Sequence, residues 1–184
     1  GLRIKGDKPL SELAADILPF RPTGDQFASL ADLDADLRSG RPMNRLIQGD
    51  VGSGKTAVAA VAACRVARAG LQTALMAPTE LLARQHASAI GRLVGARLRI
   101  GLLTGAVTGV ARRELLAAVE AGTIDLLVGT HALVAKEYTW KGLALAIVDE
   151  QHRFGVAQRD ALRRAAQASV GCPPHTLAMT ATPI

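Results

Sequence analysis

The apolar positions of this chain follow two alternating patterns, which together predict a parallel sheet. Short, nearly continuous apolar runs predict strands at residues 45–48, 73–76, 98–103, 125–128, 143–148 and 176–179. Apolar positions at helical spacing predict helices at residues 23–37, 55–68, 79–94, 109–121 and 156–168. Because buried strands that alternate with helices form parallel sheets covered on both faces, we expect an α/β fold of this kind.

The first 22 residues do not follow this alternation. They mix charged residues, Gly and Pro around one short amphipathic segment, which predicts a linker or N-terminal extension. The apolar positions of that segment are Leu10, Leu13, Ile17 and Leu18. Residues 23–184 are then predicted to form one domain, with Thr23 as the N-cap of its first helix.

The polar segments that could carry chemistry all follow predicted strands. They begin at Gly49, Pro78, Thr104, Gly129, Asp149 and Thr180. In open parallel sheets, ligands bind beyond the carboxyl ends of the strands. We therefore expect the candidate site residues to lie along one rim of the sheet.

The segment after the first strand, GDVGSGKT from Gly49 to Thr56, fits the phosphate-binding pattern G-x-x-x-x-G-K-[ST]. Its glycines allow backbone N–H groups to face phosphate oxygens, and the following helix adds its N-terminal dipole. Lys55 is predicted to reach the β- and γ-phosphates, and the Thr56 hydroxyl to ligate magnesium. ATP and Mg²⁺ are the expected cofactors.

The same glycines fit a second class of site. Residues 52–57 also satisfy G-x-G-x-x-A, the dinucleotide fingerprint of oxidoreductases. That fold needs an acidic residue about 20 positions further on, at the end of the second strand. Here Glu80 comes 28 residues after Gly52 and opens a predicted helix. The fingerprint also leaves Asp149 and Glu150 unexplained, so we favour the ATP site.

Asp149 and Glu150 directly follow the apolar run of the fifth strand. Asp149 is predicted to ligate magnesium, and Glu150 to orient and deprotonate the water that attacks the γ-phosphate. An isolated Asp-Glu pair is more often two solvated acids in a turn. The phosphate cradle expected on the same rim favours the catalytic interpretation.

Charge and composition add weaker indications. The net charge is +6, and residues 1–40 hold more acidic than basic side chains, so the positive excess lies in residues 41–184. A basic domain favours a polyanionic partner, although mild basicity also serves solubility. Only two cysteines are present, which fits a reducing cytoplasmic setting. No apolar run approaches the about 18 residues of a membrane helix, so no membrane partner is expected.

Seven segments resemble the motifs of superfamily 2 helicases and follow that superfamily's order. They are FRPTGDQ (20–26), GDVGSGKT (49–56), APTELLARQH (77–86), LTG (103–105), VGTHAL (128–133), DEQH (149–152) and MTATP (179–183). The first resembles the adenine-reading Q motif and the last the motif that couples nucleotide state to nucleic-acid grip. The resemblance covers essentially residues 20–184 and implies a P-loop NTPase fold of the RecA-like type.

Two branches of the superfamily share GDVG-x-GKT and DE-x-HRFG. These are the RecG branched-DNA translocases and the Mfd transcription-repair coupling translocases. Ser53, Gln151 and the run at residues 76–83 resemble RecG, whereas Mfd-type sequences favour Phe and Glu at the first two positions. The RecG resemblance implies an ATP-dependent DNA helicase that remodels stalled forks and Holliday junctions in recombination and repair; an Mfd-type translocase is the alternative.

The resemblance assigns roles residue by residue. The implied catalytic residues are Lys55, Asp149, Glu150 and His152. The implied cofactor-binding residues are Gln26, Gly49, Asp50, Val51, Gly52, Ser53, Gly54, Lys55 and Thr56, and the magnesium ligands are Thr56 and Asp149. The implied DNA contacts are Thr79, Arg84, Thr104, Gly105, Thr130 and His131. Arg112, Arg113 and Arg153 could add phosphate contacts, although a solvated surface role is more common for any one such arginine. The implied coupling residues are Gln151, Thr180, Ala181 and Thr182.

The resemblance also implies parts that these 184 residues do not include. A second RecA-like domain supplies an arginine finger in cis, and a wedge domain reads DNA junctions. An arginine finger is worth about 10³- to 10⁵-fold in rate, so we expect the chain alone to bind ATP weakly and hydrolyse it slowly. The whole protein is expected to be a monomeric, cytoplasmic, nucleoid-associated bacterial enzyme. A nucleotide-binding scaffold that does not hydrolyse ATP is the other alternative.

Overall fold

The computed structural model of the chain describes residues 1–50, 52, 54–150 and 155–181. Within these residues the strands are β1 (Asn44–Gln48), β2 (Gln72–Met76), β3 (Ile100–Leu103), β4 (Leu126–Gly129), β5 (Leu143–Asp149) and β6 (His175–Thr180). The α-helices are α1 (Leu10–Ile17), α2 (Gly24–Ser39), α3 (Lys55–Arg68), α4 (Glu80–Val94), α5 (Gly109–Ala121) and α6 (Val156–Val170). Short 3₁₀ helices follow α4 and β4, at Gly95–Arg97 and His131–Val134.

The described strands form one parallel sheet in the order β1-β6-β5-β2-β4-β3. The predicted parallel α/β sheet is confirmed. Because β5 and β6 insert between β1 and β2, only β6 separates the strand before the cradle from the strand before the acidic pair. Gln48 pairs with Thr180 and Asp149 with Met179, so the three strands end together.

Helices cover both faces of the sheet, in two apolar layers. α3 and α4 pack on one face, and α5 and α6 on the other. α3 is buried on all sides from Ala57 to Val66, because α1 and α2 pack over it while the sheet lies beneath. A helix that is apolar all round is typical of such a position, and its many alanines allow the close approach.

The N-terminal segment, which its sequence predicted to be a linker or extension, packs into the domain. Ile4 and Leu10 are fully buried in the same apolar cluster as α3. A buried guanidinium anchors the segment, since Arg65 of α3 donates to Asp34 Oδ1 of α2 at 3.0 Å and to the carbonyl oxygen of Lys8. The amphipathic spacing in this segment is therefore that of a helix docked on the core.

His175, at the start of β6, holds the first residues of the chain. Its Nε2–H donates to the carbonyl oxygen of Leu2 at 2.6 Å, and its Nδ1 accepts from the Met43 N–H at 3.1 Å. One donor and one acceptor define a neutral imidazole. Burial correspondingly lowers the pKa of His175 from its ordinary value of 6.5.

Most element boundaries agree with the predicted ones. α3 and α5 coincide with the predicted helices, whereas β3 begins at Ile100 instead of residue 98 because the 3₁₀ turn after α4 delays it. Among the described residues, no helix is long and apolar enough to cross a membrane.

Candidate nucleotide and nucleic-acid site

The candidate residues lie along the rim formed by the carboxyl ends of the strands, and the strand order divides this rim into two halves. The first half, at β1, β6 and β5, carries the phosphate cradle, the coupling residues and the acidic pair. The second half, at β2, β4 and β3, carries the predicted DNA contacts. This spatial grouping differs from the order of the motifs along the chain.

The cradle is built on glycine conformations. Gly52 and Gly54 have φ values of +86° and +83°, in the left-handed region where a side chain is strained. A Cβ on Gly54 would also lie only 1.7 Å from Gln26 Nε2. α3 begins immediately afterwards at Lys55, so the helix N-terminus faces the cradle. Val51 and Ser53 lie outside the described residues.

Lys55 folds back over the cradle. Its Nζ donates to the carbonyl oxygen of Asp50 at 2.9 Å and to that of Gly49. The ammonium group is therefore held beside the backbone that is predicted to bind phosphate. Lys55 is the first residue of α3, which fixes the base of its side chain.

Gln26 supports the cradle from α2. Its Oε1 accepts from the Thr23 N–H at 2.9 Å, and the Thr23 hydroxyl accepts from the Gln26 N–H at 3.3 Å. This reciprocal pair is a capping box, and it confirms Thr23 as the N-cap. The Gln26 amide nitrogen lies against the backbone of Gly54. The resemblance to the Q motif gave Gln26 only a role in reading the base. The T-x-x-Q spacing of Thr23 and Gln26 is the sequence signal for the capping role that this resemblance did not predict.

Two clefts flank the cradle. One, of about 430 Å³, lies between the first turns of α2 and the cradle and includes Gln26 and Lys55. The other, of about 460 Å³, opens toward α4 and includes Phe20, Thr56 and Arg92. Both volumes lie within the range of small-molecule sites, roughly 300–1,000 Å³. A nucleotide could thus place its phosphates in the cradle and its base in an adjoining cleft.

The acidic pair is held by contacts from α4, from β6 and from the residue that follows β6. Asp149, nearly buried, accepts a hydrogen bond from His86 of α4 at 2.6 Å. The Glu150 N–H donates to the Met179 carbonyl oxygen at 2.8 Å, and Glu150 Oε1 accepts from the Ala181 N–H at 3.4 Å. Both carboxylates are therefore positioned by the protein.

Glu150 carries backbone strain. Among the described residues, it alone combines a side chain with a positive φ, of 52°. Such a conformation costs about 1–3 kcal/mol and persists only where the surroundings hold it. Strain of this kind clusters at functional sites, which agrees with the catalytic role predicted for Glu150.

Thr180 and Ala181 join the cradle to the acidic pair. The Gly49 N–H donates to the Thr180 carbonyl oxygen at 3.2 Å, while Ala181 bonds Glu150. The backbone after β6 thus contacts both the first residue of the cradle and the predicted general base. Gln151, His152 and Thr182, the remaining members of these motifs, lie outside the described residues.

The donors predicted for magnesium are chemically suitable. The Thr56 hydroxyl and the Asp149 carboxylate are hard oxygen donors, and Mg²⁺ usually takes one or two carboxylates together with phosphate oxygens and waters. In the described part of the chain, no three His, Cys, Asp or Glu side chains cluster as a metal site. This donor set fits a magnesium ion bound chiefly through nucleotide phosphates.

The predicted DNA contacts divide into exposed and enclosed residues. Thr79, Arg84, Gly105 and His131 are exposed. Thr79 also caps α4, accepting from the Leu82 N–H at 3.2 Å. Thr104 and Thr130 are buried instead, and their hydroxyls have no hydrogen-bond partner among the described residues. These two threonines stand side by side, since Leu103 pairs with Gly129.

The three further arginines considered as phosphate contacts differ in how accessible their side chains are. Arg112 is engaged by Glu137, with Nη2–Oε1 and Nε–Oε2 distances of 2.6 and 3.1 Å, and so ties α5 to the loop before β5. Arg113 is exposed, and Arg153 lies outside the described residues. Only Arg113 of these three is shown in a position open to a phosphate.

Comparison with known proteins identifies the family. The model of the DEAD/DEAH box helicase family matches residues 32–184. The chain belongs to the DEAD/DEAH box helicases. Among relatives named ATP-dependent DNA helicase RecG, those of Bacillus subtilis and Escherichia coli are 52% and 50% identical over 168 residues, or 91% of this chain. The resemblance to RecG helicases is confirmed.

Solved helicase structures share the fold. A structure of RecG bound to a three-way DNA junction matches with a TM-score of 0.85 and 39% identity, covering 100% of this chain and 24% of that one. The Pyrococcus furiosus Hef helicase domain matches with a TM-score of 0.62 and 26% identity, covering 77% of this chain and 30% of that one. The chain spans 24% of the length of the curated RecG relatives it matches. These matches show a RecA-like helicase fold.

Proposed function

We propose that this chain is the ATP-binding half of a DNA helicase motor of the RecG type. The observation that carries the proposal is the arrangement of three strand ends. The cradle after β1 and the acidic pair after β5 flank β6, and backbone hydrogen bonds from Thr180 and Ala181 join them. A site that hydrolyses a nucleoside triphosphate needs these parts side by side.

In this proposal each contact has a chemical task. The cradle N–H groups and the α3 N-terminus bind phosphate oxygens, and Lys55 exchanges its backbone carbonyl partners for phosphate. Thr56 and Asp149 hold magnesium, which neutralises phosphate charge. Glu150 orients the attacking water and accepts its proton, and the strained backbone fixes the direction of its carboxylate.

The second half of the rim is proposed to contact DNA. Thr79, Arg84 and His131 are exposed beyond β2 and β4, next to the nucleotide half. Hydroxyl, guanidinium and imidazole groups suit phosphates, and phosphate contacts give the sequence tolerance that translocation requires. The similarity to RecG supports branched DNA as the substrate and a second RecA-like domain as the partner in cis.

Hydrolysis by the chain alone is proposed to be slow, because the arginine finger of the family comes from that second domain. Steady-state ATPase assays with and without forked DNA measure this. A DNA-stimulated turnover of about 1 per second, within the usual range of complete enzymes, would contradict the proposal.

Nucleotide binding tests the proposed function directly. A fluorescent ATP analogue is expected to bind the chain in the presence of Mg²⁺, and Lys55→Ala is expected to weaken binding by about 10- to 100-fold, the worth of a charge-assisted contact. Lys136→Ala, at an exposed lysine in the loop between the 3₁₀ helix His131–Val134 and β5, is the matched control. A folded chain that binds no nucleotide, or equal affinity in wild type and Lys55→Ala, would rule the proposal out.

The two alternative functions, an Mfd-type translocase and a non-hydrolysing scaffold, require different parts of the site. An Mfd-type translocase domain would share the same site, and the identity near 50% to RecG relatives favours the RecG branch. A non-hydrolysing scaffold would need the cradle but no water-activating carboxylate. The strain and the hydrogen bonds that hold Glu150 favour hydrolysis.

A further inference from the structure

A side-chain contact between His86 and Asp149 links the two halves of the rim. His86 lies in α4, which follows β2, whereas Asp149 ends β5. His86 Nε2 and Asp149 Oδ2 are 2.6 Å apart although the residues are 63 positions apart in sequence. The two side chains are only 14% and 12% exposed. The contact is therefore short, shielded and long-range.

The chemistry of the contact fixes its direction. An ionised carboxylate only accepts hydrogen bonds, so His86 Nε2 carries the hydrogen and donates it. The bond engages Oδ2 and thereby sets the rotation of the Asp149 carboxylate. Within the described residues, Oδ1 makes no hydrogen bond. One oxygen is thus held by the protein while the other is left for a ligand.

The position of His86 follows from helix geometry. Ala83 and Ile90 of α4 are fully buried, and His86 shares their face because residues three and four apart line one side of a helix. This face packs on the sheet at β4 and β3, and the His86 side chain reaches from it to Asp149 at the end of β5. A polar side chain there lies near the end of β5.

We propose that His86 is a positioning residue for the magnesium ligand. It holds Asp149 in the orientation that serves the nucleotide half. It also links that orientation to α4, whose N-cap is Thr79 and which carries Arg84, both of the proposed DNA half. The inference rests on the proposed role of Asp149 in binding magnesium and nucleotide. Groups that hydrogen-bond a metal ligand typically raise metal affinity by about 10- to 100-fold.

Manganese is a suitable probe because it substitutes for magnesium and is visible by electron paramagnetic resonance. The 184-residue chain is titrated with Mn²⁺ in the presence of ADP. His86→Ala is expected to raise the dissociation constant of Mn²⁺ by about 10-fold. Binding of ADP without a divalent cation is expected to stay within about twofold, because no phosphate contact is changed.

Two variants separate positioning from packing. His86→Gln retains an N–H donor and is expected to recover most of the Mn²⁺ affinity that His86→Ala loses. Gln85→Ala, at the adjacent exposed residue of α4, is the matched control and is expected to change nothing. If His86→Ala and His86→Gln weaken Mn²⁺ binding equally and both lower the melting temperature, the histidine serves packing and the inference is wrong.

Asp149→Asn separates this inference from the proposed function. If Asp149→Asn weakens Mn²⁺ binding while His86→Ala does not, the magnesium role stands and the positioning role of His86 is overturned. If neither variant changes Mn²⁺ binding to a folded chain, the proposed magnesium site itself is overturned. If Asp149→Asn and His86→Ala both weaken Mn²⁺ binding, and His86→Gln recovers it, the magnesium role of Asp149 and the positioning role of His86 are both supported.

Discussion

The buried polar groups at the two ends of the strands differ in how fully they are hydrogen-bonded. The amino-terminal edge is where the parallel strands begin, and the carboxyl-terminal edge is the rim where they end and where the candidate site lies. At the amino-terminal edge, Gln72 is buried with every hydrogen-bonding group engaged. Its Nε2 donates to the carbonyl oxygens of Val119 and Ile124 at 2.9 Å, and its Oε1 accepts from the Lys141 and Gly142 N–H groups at 3.0 Å. His175, at the same edge, also uses both ring nitrogens.

At the carboxyl-terminal edge, fewer of the buried polar groups have hydrogen-bond partners among the described residues. Within the described residues, the enclosed hydroxyls of Thr104 and Thr130 have no partner, and Glu150 adopts a left-handed backbone. A third unpartnered hydroxyl, that of Thr73, lies near the start of β2 and is the exception to this division. Lys55, another residue of this edge, donates to the backbone carbonyl oxygens of Gly49 and Asp50.

The difference indicates which edge serves stability and which serves ligands. Burying a polar group without a partner costs free energy, so a folded protein retains such groups where another need outweighs the cost. Strain at Glu150 near the phosphate cradle, and unpartnered hydroxyls at the predicted DNA contacts of the same edge, are typical of functional sites. Substitutions at the two edges should therefore have opposite consequences.

The largest effect is expected at Glu150. In a motor that joins this chain to a second RecA-like domain, Glu150→Gln should lower ATP turnover by about 10²- to 10⁴-fold, because the amide cannot accept the proton from water. ATP binding should be retained. Glu114→Gln, at an exposed acid on α5, is the control. Hydrolysis by Glu150→Gln within a few-fold of wild type would show that Glu150 is not the base.

At the amino-terminal edge, Gln72→Leu should cost about 3 kcal/mol in the free energy of unfolding. The substitution leaves two backbone N–H groups and two carbonyl oxygens without side-chain partners, and unsatisfied buried groups cost about 1–3 kcal/mol each before relaxation. Urea denaturation measures the change. Nucleotide affinity of the folded chain should remain within twofold; a specific loss of affinity would break the division between the edges.

Thr104→Val should act in the opposite direction. Replacing an unpartnered hydroxyl by a methyl group is expected to raise the free energy of unfolding by about 1 kcal/mol, while DNA affinity falls or stays the same. Thermal denaturation provides the measurement, with Thr79→Val, at an exposed cap, as the destabilising counterpart. A lower melting temperature for Thr104→Val would mean that the hydroxyl contributes to stability.

The smallest effect is the pH dependence due to His175. Burial lowers its folded-state pKa below 6.5, so the unfolded chain binds a proton first as pH falls. This contribution to stability is therefore complete above about pH 6.5 and is lost as pH falls toward the lowered pKa. The ammonium group of Gly1 and the carboxylate of Asp36 are the charges that act on it.

Wild type and His175→Gln are compared by thermal denaturation at pH 7.5 and 5.5. The other titrating groups are common to both proteins, so their effects cancel in the difference. Wild type should lose more stability than His175→Gln over this interval. Parallel losses would show that His175 titrates alike in the folded and unfolded chains.

Local patterns predicted most of the fold. The apolar runs located the strands, and Thr23 and the GDVGSGKT segment marked the starts of α2 and α3, because these signals act within a few residues. The place of β6 between β1 and β5 was not predictable in this way, since strand order depends on packing across the whole sheet. The docked α1 was missed because charged residues and prolines surround its short apolar stripe.

The contacts within the site were also not predictable from local sequence patterns. The position of Asp149 and Glu150 after an apolar strand predicted their place in the site, but not the partners that orient them. His86 is 63 residues from Asp149. Ala181 contacts Glu150 only because β5 and β6 are neighbours. Such pairings follow from the assembled sheet.

Titrating the isotopically labelled chain with ADP and Mg²⁺, while following amide chemical shifts by NMR, locates the nucleotide site directly. We expect changes concentrated at the carboxyl-terminal edge, at Gly49, Gly54, Lys55, Thr180 and Ala181, with little change at Gln72 and His175. Changes centred on the amino-terminal edge, or none in a folded chain at saturating nucleotide, would contradict this expectation.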